Sequence, residues 1–186
     1  MKHARLTTML FGVLAVGLLT FGCAGSVEAR RSRRDHHDSY KVDKLIRDLR
    51  YGDTGERKDA AKKLGDYRGP RVVFALSEAV VDDPKDDVRE RAVKSLKKIG
   101  SPRALPALIH ALRYDDEDDI REEAAKALGD IGHPAAIGPL RRAALDDDED
   151  DVREAARKAL KKIEKNRPRD GDHRRRRRDR DDDWDD

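Results

Sequence analysis

The chain has 186 residues, 44% of them Asp, Glu, Lys or Arg and only 4% aromatic, with 42 cationic against 39 acidic side chains. So few large apolar side chains exclude the deep core of a β-sandwich or doubly wound sheet and point to a thin one made of Leu, Val, Ile and Ala. Beyond residue 22 no apolar run approaches the roughly 18 residues that cross a bilayer, and the near-neutral stretch 42–166 argues against a nucleic-acid-binding surface with one dominant basic face.

Residues 1–22 carry Lys2 and Arg5 ahead of an apolar stretch from Met9 to Phe21, with no acidic residue before Glu28, the pattern of an export signal. Cys23, the only cysteine, follows Leu18-Leu19-Thr20-Phe21-Gly22. This stretch resembles the lipobox of bacterial lipoproteins apart from Thr20, and the resemblance implies acylation of Cys23 and a membrane-anchored protein of the cell envelope. Cleavage after Ala29, at Val27-Glu28-Ala29, is the alternative and leaves a soluble periplasmic or secreted chain. Either way the mature chain has no disulfide and depends on packing for its stability. Residues 23–41 read as a basic disordered linker with Arg30, Arg31, Arg33 and Arg34, in which His36-His37 is a spacer rather than a metal site.

From residue 42 to 166 the sequence repeats at a shift of 32. Asp87-Val88-Arg89-Glu90 superimposes on Asp119-Ile120-Arg121-Glu122 and on Asp151-Val152-Arg153-Glu154. The same shift aligns Ala92, Ala124 and Ala156, then Leu96, Leu128 and Leu160, then Pro70, Pro102 and Pro134. A more worn first copy supplies Arg57, Ala60 and Leu64. About four copies at such a period are the signature of a solenoid.

Each copy predicts two helices. Pro102 to Leu112 sets Leu105, Leu108, Ile109 and Leu112 at helical spacing behind an initial proline. Val88 to Ile99 sets Val88, Ala92, Leu96 and Ile99 on one stripe. An acidic turn lies between the two. Its last residue, Asp87, Asp119 or Asp151, has Glu90, Glu122 or Glu154 three places on, which predicts a capping box. Gly100 and Gly132 then stop the second helix.

The L-x-x-L, acidic turn, D-[VI]-R-E, A-x-x-x-L-x-x-I-G pattern resembles the short HEAT-like repeats of the phycobilin-lyase type. The resemblance implies an all-α fold, a right-handed α-solenoid of about four two-helix HEAT-like repeats over residues 42–166. It also implies a ladder between neighbouring repeats, carried here by Asp83, Asp115 and Asp147 with Arg89, Arg121 and Arg153. The first repeat departs from the pattern at Gly55 and Glu56. Arg157 replaces the Ala61, Val93 and Ala125 of earlier copies and fits a last helix that faces water.

Among candidate functional residues, Lys62, Lys94, Lys126 and Lys158 recur every 32 positions and would form a cationic column for an acidic protein partner. Glu90, Glu122 and Glu154 lie four residues before three of them, so ion pairing along a solvated helix face is the competing reading. The acidic turns lack the Gly and Glu placement of a calcium loop, and no metal or cofactor is expected. No nucleophile, acid–base pair or Gly-rich phosphate loop is evident, so the chain is read as not an enzyme, with lyase-like catalysis only a family analogy. Residues 167–186 match eight Arg with eight Asp around a single Trp184 and read as a disordered tail.

The function expected is thus a scaffold holding another protein at the envelope, as a monomer or weak dimer. Binding of anionic lipid or polymer through the arginine-rich arms is the alternative, and no nucleic acid is expected as a partner.

Overall fold

The computed structural model describes residues 39–166, so the export signal, Cys23, most of the linker and the Arg/Asp tail lie outside the described residues. The helices are α1 (residues 39–51), α2 (Thr54–Leu64), α3 (Pro70–Asp82), α4 (Asp86–Ile99), α5 (Leu105–Tyr114), α6 (Asp118–Ile131), α7 (Ile137–Asp146) and α8 (Asp150–Asn166). They pair as α1/α2, α3/α4, α5/α6 and α7/α8. The first helices form one layer and the second helices the other, and from α3 onward each helix packs on its partner and on its counterpart in the neighbouring repeat. Helix α1 includes residues 39–41.

One apolar cluster runs the length of the stack. Leu76, Leu108 and Leu140 from the first helices meet Leu64, Leu96 and Leu128 from the second, all fully buried. Truncating any of these to Ala removes about 2–5 kcal/mol of stability. The second-helix layer is close-packed because its contact positions are small. A Cβ added at Gly129 would lie 2.7 Å from the Ala159 Cβ, and one added at Gly65 would lie 2.9 Å from Ser95 Oγ. Ser95, buried in this layer, satisfies its hydroxyl by donating to the Ala61 carbonyl at 2.8 Å. Arg157 is exposed where Ala61, Val93 and Ala125 are buried, so α8 presents a polar outer side.

The turns differ from the expected capping boxes. Asp87, Asp119 and Asp151 sit one residue inside their helices, and no side chain caps α4 or α6. The aspartate that opens each turn does the organising. The amides of Asp83, Asp115 and Asp147 close the preceding helix on Ala79, Ala111 and Ala143. Their carboxylates accept the amide two residues on, at 3.0, 3.1 and 3.1 Å, an Asx turn that aims the chain into the next helix. The acidic residues after it, such as Asp86 and Asp87, favour the helix N-terminus through its dipole. The reciprocal box is seen instead in the first repeat, where Asp53 accepts from the Glu56 amide at 2.8 Å and Glu56 accepts from the Asp53 amide at 3.0 Å.

Gly100 and Gly132 end α4 and α6 in the left-handed region, at φ 66° and 71°. The segment expected to start a helix at Pro102 begins as a 3-10 turn, Pro102–Ala104, and Pro134–Ala136 does the same. Ser101 Oγ and His133 Nδ1 accept the Arg103 and Ala135 amides there.

Candidate functional site

Three arginines tie the repeats together. Arg57, Arg89 and Arg121 each donate through Nε and Nη2 to both oxygens of Asp83, Asp115 and Asp147, at 2.8–3.2 Å. Each Nη1 donates to a main-chain carbonyl of the arginine's own turn, Gly52, Asp83 or Asp115, at 3.1–3.2 Å. The Arg89 and Asp115 side chains are only 11% and 4% exposed. Hydrogen bonds donated to the aspartates, the largest influence, raise the affinity of all three guanidinium groups for their protons. The rungs join neighbouring repeats: the arginine of one repeat meets the aspartate of the next. Arg57 of the worn first repeat is a full member, and among the described residues Arg153 donates to Asp147 and Asp150 of its own turn and helix.

The lysine column lies on the second-helix side. Lys126 pairs with Glu122 at 2.8 Å, Lys158 with Glu154 at 2.6 Å, and Lys94 with Glu90, all within one helix. Lys62 is exposed and has Lys58 rather than a glutamate four residues earlier; Lys58 pairs with Asp87 at 2.5 Å. Between α4, α6 and α8 lies a hollow of about 330 Å³ whose floor is Gly129, Ala155 and Ala159 and whose walls include Lys126 and Lys158. This side is a lattice of neutralised charges around a small floor.

The first-helix side is different. Helix α3 buries Val72, Leu76, Ala79 and Val80, yet also turns apolar groups outward: Phe74 is 60% exposed and Val81 39%. Around them lies a groove of about 890 Å³, bounded by Ile46 and Arg50 of α1, by α3, and by Arg103, Pro106, Ala107 and His110 before and within α5. The groove stays open because the neighbours are small. Pro106 and Gly138 occupy the place of Phe74 in the next two repeats, and neither can cover the valley.

The rim is polar and largely tied down. Arg50 donates to Glu78 at 2.6 Å and Arg71 to Asp43 at 2.5 Å, both joining α1 to α3. On the other bank His110 packs on Tyr114, ring centroids 5.1 Å apart, and Arg113 lies 5.2 Å from the same ring. Arg103 makes no ion pair among the described residues. A second hollow of about 510 Å³ continues past the α3 C-terminus, sharing Arg50, Glu78 and Asp82 and adding Tyr51 and Pro84. No motif or repeat position in the sequence singles out Phe74, Val81, Arg103 or His110. The available signal was an α3 segment, Val72-Val73-Phe74-Ala75-Leu76, too apolar for one buried face.

Two layers of paired helices, repeated every 32 residues and tied by an Arg–Asp ladder, define a helical-repeat solenoid. The sequence matches HEAT repeats over residues 42–125 and 82–161, and the chain belongs to the HEAT-repeat family. No curated protein matches it. Human deoxyhypusine hydroxylase, solved in complex with glycerol, is similar with a TM-score of 0.60 and 26% identity, over 67% of this chain and 44% of that one. The chain therefore spans less than half the length of that enzyme. The complex of CpcE and CpcF of phycocyanin lyase from Nostoc sp. PCC7120 is similar with a TM-score of 0.55 and 26% identity, over 69% of this chain and 81% of that one.

These likenesses correct one expectation. The chain was read as not an enzyme because no catalytic motif stands out, but structures built on the same fold include a hydroxylase and a lyase. The HEAT architecture includes catalytic members, and its plain surface chemistry is no argument against activity.

Proposed function

We propose that this protein is a repeat scaffold that holds another protein at the bacterial cell envelope by seating an amphipathic helix of it in the groove over α3. The observation that carries this reading is the outward row of Phe74 and Val81 along an open groove, opposite a second-helix side where Lys94, Lys126 and Lys158 are each paired with a glutamate. The two residues are seven apart, two helical turns or about 10 Å along α3. That spacing suits the i, i+3, i+7 anchors of a helix laid in a groove. Arg103 on the rim would meet a carboxylate beside those anchors. The similarity to CpcE and CpcF, which form a complex with each other, supports a protein as the partner. Acylation at Cys23 would tether the scaffold, and the linker would hold the repeats off the membrane.

The test compares two surface variants of the full chain recovered from envelope fractions. Phe74→Asp with Val81→Asp is expected to lose the co-purifying protein while keeping its helical content. Lys94→Glu with Lys126→Glu is expected to retain it. Capture surviving the first pair and lost with the second would return the site to the lysine column. Intact mass of the same preparations reports the tether: an acylated chain beginning at Cys23 is expected, and one beginning at Arg30 contradicts it.

A further inference from the structure

The helix dipole favours acids in a helix's first turn and bases in its last. Helices α2 and α4 follow that rule, with Glu56 and then Lys62 and Lys63 in α2, and Asp86 and Asp87 and then Lys97 and Lys98 in α4. Helix α3, the middle of the apolar groove, reverses it. Its first turn holds no acid and its last turn no base, Arg71 stands near its start, and Asp82 is its final residue. No side chain caps its N-terminus.

The charges lining the groove divide in the same sense. Arg71 is neutralised by Asp43, and Arg50 and Glu78 neutralise each other. That leaves one charge at each end of the α3 row. Arg103 is exposed, takes the place of Arg71 one repeat on, and belongs to the 3-10 turn that packs on α3. Asp82 is also exposed and makes no ion pair among the described residues. The two arginines that share its hollow, Arg50 and Arg57, are already held by Glu78 and Asp83. From Arg71 to Asp82 is about 16 Å along α3, with Phe74 and Val81 between them.

We propose, resting on the groove reading above, that the groove selects its occupant by charge order. It takes a helix of the partner protein with an acidic side chain at the Arg103 end, a basic one at the Asp82 end, and apolar anchors against Phe74 and Val81 between. About three turns of helix cover that span. The α3 dipole acts in the same direction, since its free N–H groups lie at the Arg103 end and its last carbonyls at the Asp82 end. A helix that is acidic at both ends, or basic at both, meets its own sign once, so the order rejects as well as attracts.

The probes are three synthetic helical peptides with identical apolar anchors: Glu at one end and Lys at the other, Glu at both ends, or Lys at both. Each is titrated with the full chain at low salt and followed by fluorescence anisotropy. The mixed peptide is expected to bind about threefold tighter than either other, the effect of one exposed charge contact. Arg103→Glu makes both ends of the groove acidic and is expected to move the preference to the Lys-ended peptide. Asp82→Lys makes both ends basic and is expected to move it to the Glu-ended one. Both variants should keep their helical content by circular dichroism, because both side chains are exposed. If the peptides bind but either substitution leaves their ranking unmoved, the proposal is overturned and the groove reading stands. If no peptide binds, or binding survives Phe74→Asp with Val81→Asp, both are overturned.

Discussion

On the second-helix side of the solenoid, Lys94, Lys126 and Lys158 repeat every 32 residues and each is held by a glutamate one turn earlier. On the first-helix side, Phe74 stands where the next repeats have Pro106 and Gly138, and the result is an open apolar groove. The periodic feature neutralises itself, while the feature that breaks the period leaves something for a partner to bind. In a repeat protein the shared positions build the frame, because every copy must pack on the next. Departures from the repeat are where a copy can do something its neighbours do not.

The largest effects are expected where the frame itself is cut. Arg89→Ala leaves Asp115 buried without its counter-ion and should cost about 3 kcal/mol in urea unfolding. Arg153→Ala, in α8, should cost less than about 1 kcal/mol. Gly129→Val forces a side chain into the Ala159 backbone of α8 and should cost about 2 kcal/mol. A neutral result there would mean that the second helices are not packed as closely as described.

Smaller effects separate the two faces. Lys94→Glu with Lys126→Glu replaces two helix-surface ion pairs with like charges, about 1 kcal/mol in total, with no effect on partner capture. Phe74→Ala should change stability by no more than about 0.5 kcal/mol, since the ring is mostly in water, yet abolish capture. The two faces are thus predicted to trade stability against binding in opposite senses.

The smallest expected effect is that of pH. The ladder arginines hold their protons more tightly folded than unfolded, so their contribution is complete below the unfolded value and lost only in strong alkali. Asp87 and Glu154 are held below the usual carboxylate range, chiefly by hydrogen bonds from Lys58 and Lys158. Their contribution is present above the unfolded value and fades as pH falls through the lowered one. Stability should therefore be flat from about pH 5 to 10 and decline below about pH 4, which a thermal melt series checks.

Much of this was legible in the residues. Leu64, Leu96 and Leu128 mark the period because a core position tolerates few replacements, and Gly100 and Gly132 mark helix ends because the backbone there needs positive φ. The ladder aspartates, Arg89 and Arg121 were legible as a set, but not Arg57, which looks isolated until α2 is packed against the α3–α4 turn. The helix starts were misplaced because turns with several consecutive acids offer several equivalent caps, and only the Asx turns of Asp83, Asp115 and Asp147 decide among them. The groove was least legible. It depends on Pro106 failing to cover Phe74, a relation between residues 32 apart that no local pattern records.

The most direct test places a photo-crosslinking amino acid at position 74 in one version of the full chain and at position 126 in another, each irradiated in intact envelopes. The account predicts a discrete crosslinked protein from position 74 that disappears with Val81→Asp, and none from position 126. A crosslinked partner at position 126 with nothing at 74 would contradict it and make the second-helix face the working surface.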